Sequence, residues 1–224
     1  MELTVGDVCA LLNVTEKELI RWIKLKKIPA HKIHHRFFFN KAEVHEWIIN
    51  NNWKATEKIL GLALTKMPVS LYSLLNKGGI FYKISGVDVP SVIKNAVGKM
   101  TLPAGLSKDS LISALLDRER MVPTAIGKGI SIPHPRNPIV SDVENESVSL
   151  YFLKEAVDFG ALDKKPVRAL FIVLCANAKR HLEILSRISY LCQDNDFIEL
   201  IEKQSEAFAI LKYIEKKEIE WVKG

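Results

Sequence analysis

The stretch Gly127-Lys128-Gly129-Ile130-Ser131-Ile132-Pro133-His134-Pro135-Arg136 places one histidine between two prolines, just after a short apolar alternation. Each proline fixes φ and removes a backbone donor, so the segment reads as a stiff loop rather than the interior of a helix or strand. His134 is therefore mounted rigidly. A neutral imidazole is nucleophilic near neutral pH, and one ring nitrogen can attack while the other is held by a hydrogen bond. That suits transient carriage of a phosphoryl group, which needs charge stabilisation around a loose metaphosphate-like state more than covalent help. A helix N-terminus, an arginine and a second histidine are suitable parts for such a site. Arg136 follows in the same loop, and His181 falls in the first turn of a later helix.

The elements that must position this loop read as an α/β pattern. Leu71–Leu75 opens the region, Gly78-Gly79 turns it, and 80–84 is a short strand. Residues 89–97 and 107–120 are helical by cap and period, the latter with Ser107 as N-cap and Leu111, Ile112, Leu115 and Leu116 turned inward. Strands follow at 130–132, 148–153 and 167–174. The last is almost wholly apolar and so is expected to be covered on both faces. A helix over 179–192 carries Leu182, Leu185, Ile188 and Leu191 on one stripe, and its entry loop, 175–178, lies at the carboxyl end of the apolar strand. Open α/β sheets usually place their sites there.

The first fifty residues have a different plan. Thr4 with Asp7, and Thr15 with Glu18, are spaced as helix-starting boxes, and only Asn13-Val14 separates the two short helices. Val8, Leu11, Leu12, Leu19, Ile20 and Ile23 offer a shared core. Two runs rich in β-formers flank His34-His35 as a hairpin, and Asn40 with Glu43 opens a third helix carrying Val44, Trp47 and Ile48. This is a winged helix-turn-helix. From Arg21 to Lys41 there is no Asp or Glu, while seven Lys and Arg residues fall there. A basic run coinciding with a helix-turn-helix and wing points to DNA through residues 15–41, although a charge run by itself is usually a solvated face. Thr15, Glu16, Lys17, Ile20 and Arg21 are the candidates for base edges, with Lys24 on the same helix; Lys32, His34, His35 and Arg36 are the candidates for phosphates.

The chain has 224 residues with a net charge of +6 and 48% hydrophobic composition, enough for two modest domains. These are expected at 1–52 and 69–224, joined by a connecting helix over 53–68. No apolar run approaches the ~20 residues that a bilayer-spanning helix needs, and the sequence opens without a secretory pattern. A soluble, cytoplasmic protein with no membrane association is expected. Cys9, Cys175 and Cys192 are isolated and read as reduced core residues. No metal site is expected, since His31, His34 and His35 lack a second ligand cluster in register.

Two resemblances sharpen these readings. "LTVGDVCALLNVTEKELIRWIKLKKIPAHKI" with "RFFFNKAEVHEWI" resembles the excisionase-type and MerR-like winged-helix DNA-binding domains. "LLDRERMVPTAIGKGISIPHP", "VDFGALDKKPVRALFIVL" and "HLEILSRISYL" resemble the EIIA domain of the fructose, mannitol and nitrogen-regulatory branch of the bacterial sugar phosphotransferase system, from about Met67 to the C-terminus. The second resemblance implies a three-layer domain with a mixed sheet flanked by helices. It also implies that His134 is the phosphorylated residue, that Arg118 and His181 neighbour it, and that Gly127 and Gly129 are the turn glycines leading to Pro133-His134. Pro135 departs from the family, which usually has glycine after the active histidine; the proline removes an N–H that could meet a phosphoryl oxygen.

Together these readings imply a regulator that takes a phosphoryl group on His134 from an HPr-like phosphocarrier and couples it to DNA or partner binding, with no cofactor. Because a single small winged helix makes few contacts, a homodimer or helper is expected. Two alternatives stand beside it, namely an interaction module with a silenced EIIA site and a plain phosphocarrier in a sugar relay.

Overall fold

The computed structural model describes residues 2–33, 36–40, 43–44, 47–48 and 69–223. Thr4 and Thr15 each close a capping box, starting α1 (Val5–Leu12) and α2 (Glu16–Lys24). Asn13, in the left-handed region at φ 53°, ends α1 and turns the chain into α2; Asn enters that region more readily than most residues. Strand β1 (Glu2–Thr4), which the sequence pattern does not reveal, pairs antiparallel with β3 (Arg36–Asn40), and β3 pairs with β2 (His31–Ile33). Val8, Leu11, Leu12, Leu19, Phe39 and Val44 form the small core under this sheet. Ile20 and Ile23 are only half-buried, so the core is narrower than the sequence suggests. Residues 43–44 and 47–48 are helical, and the expected box residue Glu43 has Oε2 2.7 Å from Nε2 of His31. The rest of the expected third helix, the connecting helix over 53–68, and the wing residues His34 and His35 lie outside the described residues.

In the second part of the chain, α3 (Leu71–Gly78) leads into β4 (Ile80–Ile84), followed by α4 (Val89–Lys99) and α5 (Lys108–Met121). Then come β5 (Ala125–Gly127), β6 (Ile130–Ser131), β7 (Ser147–Val157) and β8 (Val167–Leu174). Helices α6 (Ala178–Leu191), α7 (Asn195–Glu202) and α8 (Ala207–Lys223) close the chain. The sheet order is β4-β7-β8-β6-β5, with β4 parallel to β7 and β6 parallel to β8, and with antiparallel pairs elsewhere. Strand alternation sends Val148, Leu150 and Phe152 to one face and Tyr151 and Leu153 to the other. Helices α3, α6, α7 and α8 cover the first face, and α4 and α5 the second. The result is the three-layer α/β domain with a mixed sheet that the sequence implies, and β8 is buried on both faces. Ile112 and Leu116, expected inside with Leu111 and Leu115, are partly buried at the margin of α5. No described helix is long and apolar enough to cross a membrane.

Long-range ties hold the start of this domain to α6 and α8. Val69 N–H donates to Glu183 Oε1 at 2.9 Å, and Ser70 Oγ donates to Glu218 on α8 at 2.8 Å. Gly78 ends α3 where it crosses β7 so closely that a Cβ there would lie 2.1 Å from the carbonyl oxygen of Val148. Backbone cannot yield as a side chain can. Gly78→Ala is therefore expected to destabilise this domain by about 3 kcal/mol, read as a lower denaturant midpoint at unchanged slope.

Candidate functional site

The parallel pairing of β6 with β8, Ile130 opposite Ala169 and Ser131 opposite Leu170, brings two carboxyl ends to the same edge of the sheet. The loop after β6 carries His134; the loop after β8 leads into α6 and His181. Lys128 and the flanking glycines make this approach possible: Gly127, Lys128 and Gly129 take φ values of 88°, 54° and 73°. The Asp163 carboxylate accepts the Lys128 N–H at 2.8 Å, and a Cβ on Gly127 would lie 3.1 Å from that carboxylate. Beyond the turn, Pro133 O accepts Val173 N–H at 3.1 Å and stitches the loop to β8. Pro133 and Pro135 are both buried, so the two prolines are packed as well as stiff.

His134 is 3% exposed and its Nδ1 lies 2.7 Å from the Ile132 carbonyl oxygen. A carbonyl only accepts, so Nδ1 carries the proton and Nε2 the lone pair in the neutral ring. The His181 ring meets it edge-on at a centroid distance of 4.8 Å. Arg118, also 3% exposed, projects from the last turn of α5 and donates through Nη1 to the Val122 carbonyl at 2.6 Å. Arg136 is exposed; its charge, after burial, is among the influences that push the Arg118 pKa down. His134, His181, Arg118, Gly127, Gly129, Pro133 and Arg136 are thus gathered in one region by three separate segments.

Burial, followed by the positive charge of Arg118, holds His134 down at about 4, against the smaller upward pull of its bond to Ile132 and of Glu119. His181 is pushed to about 3 by burial first, then by His134 and Arg118. Both rings are neutral at physiological pH. The unfolded chain takes up these protons near pH 6.5, so their contribution to stability is complete above that value and is lost as pH falls toward 4. In that window unfolding is expected to become easier by about 1.4 kcal/mol per pH unit for each histidine. Urea midpoints measured between pH 7 and 4, native against His181→Gln, check this; the variant should lose part of the slope. Glu119 acts in the opposite sense, because burial lifts its carboxyl.

With this geometry in view, the comparisons are decisive about family. Residues 73–217 match the model described as the phosphoenolpyruvate-dependent sugar phosphotransferase system, EIIA 2. The chain belongs to this family. Residues 2–52 match a helix-turn-helix domain, so this EIIA carries the fused arrangement its sequence suggests. It is 38% identical over 101 residues to the fructose-specific EIIA component of Haloferax volcanii, covering 44% of this chain and 64% of that protein. It is 30% identical over 117 residues to the mannitol-specific enzyme IIA component of Geobacillus stearothermophilus, covering 52% of this chain and 79% of that one. The alignment with the Bacillus subtilis fructose-specific EIIABC component spans only 22% of that protein. The crystal structure of nitrogen regulatory protein IIA-Ntr from Neisseria meningitidis superposes with TM-score 0.56 at 25% identity, over 64% of this chain and 97% of that one.

Around the EIIA histidine pair lie residues that the sequence does not single out. Glu119 accepts from Thr124, N–H at 2.9 Å and Oγ1 at 2.5 Å, and Thr124 Oγ1 meets Ser131 Oγ at 2.8 Å, bracing β5 and β6 below the loop. Cys175 Sγ lies 3.3 Å from His181 Nδ1. Adjacency of Glu119 to Arg118 was a signal available in the sequence; the Cys175 contact, six residues from His181, was not. In the helix-turn-helix part, Glu16, Lys17, Ile20, Arg21, Lys24 and Leu25 lie together on one open face of α2. Thr15 Oγ1 is engaged with Glu18 Oε2 at 2.7 Å, which makes it a cap first. Lys32 is exposed with Nζ 5.9 Å from the Phe37 ring centroid, and Arg36 begins β3, its side chain outside the described residues.

Proposed function

We propose that this protein is a phosphotransferase-system regulator in which His134 receives a phosphoryl group from an HPr-like carrier and the helix-turn-helix part, residues 1–52, binds DNA. The observation that carries the first half is the Nδ1 bond of His134 to Ile132, with His181 and Arg118 beside the ring. The Nε2 lone pair attacks phosphorus; the bond from phosphorus to the donor's ring nitrogen breaks, and its electron pair stays on that nitrogen. Nothing need deprotonate the attacking nitrogen, because it carries no proton. The ring gains positive charge in the step, and Ile132 O, accepting from Nδ1–H, stabilises it. Arg118 then faces the new anionic oxygens. Met121 and Val122, exposed where α5 ends beside Arg118, offer apolar contacts to a carrier protein.

The open face of α2 and the exposed Lys24, Lys26, Lys27 and Lys32 support DNA binding by residues 15–41. A phosphoryl group carries ~1.5 to 2 negative charges, enough to alter how a basic domain joined through 53–68 meets DNA or a second copy of the chain. The test is intact mass after incubation with phosphoenolpyruvate, the general phosphotransferase enzyme and an HPr-like protein, followed by DNA affinity with and without phosphate. No phosphate uptake from donors active on another EIIA would leave an interaction module. Phosphate uptake with no DNA binding at low salt would leave a plain carrier.

DNA affinity is expected to fall steeply with salt, and Lys24→Ala and Lys32→Ala should each lower the log–log slope by about 0.9. Arg21→Ala should instead relax selectivity, at about 1 to 3 kcal/mol for the base it reads. Electrophoretic or fluorescence titrations across salt concentrations separate the two behaviours.

A further inference from the structure

Cys175 is the first residue beyond β8. It is 3% exposed, and its Sγ lies 3.3 Å from Nδ1 of His181, whose ring in turn meets that of His134. Burial, followed by the negative charge of Glu146, pushes the thiol up to about 12, so the sulfur keeps its hydrogen. Neutral His181 carries a single ring proton. Either Nδ1–H donates to sulfur, leaving the Nε2 lone pair for the phosphoryl region, or S–H donates to Nδ1 and Nε2 bears the proton. The first arrangement presents a lone pair to anionic oxygens; the second presents a donor to them. An imidazole nitrogen is also a far better acceptor than a thiol sulfur.

We propose that Cys175 is a positioning residue whose S–H donates to Nδ1 of His181, fixing the Nε2–H tautomer and so aiming a hydrogen-bond donor at the phosphoryl group on His134. The phosphoryl part of this proposal rests on the functional reading above; the tautomer does not. The two site histidines then hold opposite tautomers, Nδ1–H at His134 and Nε2–H at His181, one ring prepared to attack and the other to donate. No proton changes owner during transfer. The thiol acts only through the ring it orients.

The experiment is proton–nitrogen correlation NMR on the full chain with ¹⁵N-labelled histidine, assigned with His134→Gln and His181→Gln, beside phosphoryl-transfer kinetics. Native His181 should show its proton on Nε2. Cys175→Ala should shift it toward Nδ1 and slow transfer about tenfold, the loss of one hydrogen bond, with KM for the carrier within about twofold. Cys175→Ser, whose hydroxyl also donates, should restore the tautomer and most of the rate. A native proton on Nδ1, or a Cys175→Ala chain with native tautomer and rate, overturns the proposal. Equal losses in the Ala and Ser variants overturn it too, because they point to packing alone. Because the tautomer is read without a phosphoryl donor, a chain that takes up no phosphate overturns the carrier reading separately.

Discussion

His134→Ala is expected to leave the protein unable to take up acid-labile phosphate, whatever the concentration of phosphorylated carrier. The native chain should gain the mass of one phosphoryl group under the same conditions. No other described histidine combines the features that make His134 the proposed acceptor. His31 is exposed and lies 2.7 Å from the carboxylate of Glu43, and His181 directs Nδ1 at a thiol. The expected distinction is kinetic as well as geometric: the stiff loop between Pro133 and Pro135 fixes the ring before a carrier would arrive, so little orientation would be left to be lost in the transition state. A second readout guards against a merely misfolded variant. After burial, protonated His134 is the next influence that holds His181 near 3, so removing it should raise the His181 pKa, a change visible by NMR only in a folded site. His134→Gln, with closer volume, should behave in the same way. Full phosphate uptake by either variant would move the acceptor elsewhere and sink the assignment.

Arg118→Ala is expected to slow phosphoryl transfer by about a hundredfold to a thousandfold, the range seen when one preorganised charge-stabilising donor is removed from a water-poor site. Two effects of the guanidinium are lost together. Its charge helps, after burial, to keep His134 neutral before the reaction, and in the proposed transfer it meets the phosphoryl oxygens. The first loss is small at neutral pH, because burial dominates the low His134 pKa; the second accounts for nearly all of the effect. The Nη1 bond to Val122 also closes the end of α5, so the alanine variant loses a structural tie. Arg118→Lys separates these roles. It keeps the charge but not the planar fork, and should recover part of the rate. Single-turnover transfer from phosphorylated carrier, at saturating carrier, measures both variants. A rate within about threefold of native for Arg118→Ala is far below the loss expected of a stabilising charge and would exclude Arg118 from the transition state.

The local devices of this protein were legible because they depend on neighbours in sequence. Thr4 with Asp7, Thr15 with Glu18, and Ser107 cap the helices expected of them, since a cap needs only a side chain and the N–H groups next to it. The apolar run 167–174 is a central strand because eight residues of that kind have nowhere else to go. β1 leaves no signal in the sequence because three residues become a strand only when β3 lies alongside. The pattern does not announce α7 and α8, and α8 is tied to the N-cap of α3 by a contact between Ser70 and Glu218 that no sequence window contains.

By itself the sequence determined a rigidly mounted histidine, the turn that delivers it, the caps and stripes of the elements on either side, and a basic helix-turn-helix at the start of the chain. Tertiary structure decided that His134, His181 and Arg118 meet. The parallel register of β6 and β8 sets two carboxyl ends side by side, and the packing of α5 on the opposite face from α6 brings Arg118 to the same edge. The burial that holds both rings neutral, and the Cys175 thiol that faces Nδ1 of His181, follow from that convergence. Residue types can be read singly along a chain, but distance, desolvation and tautomer belong to groups that only the fold brings together.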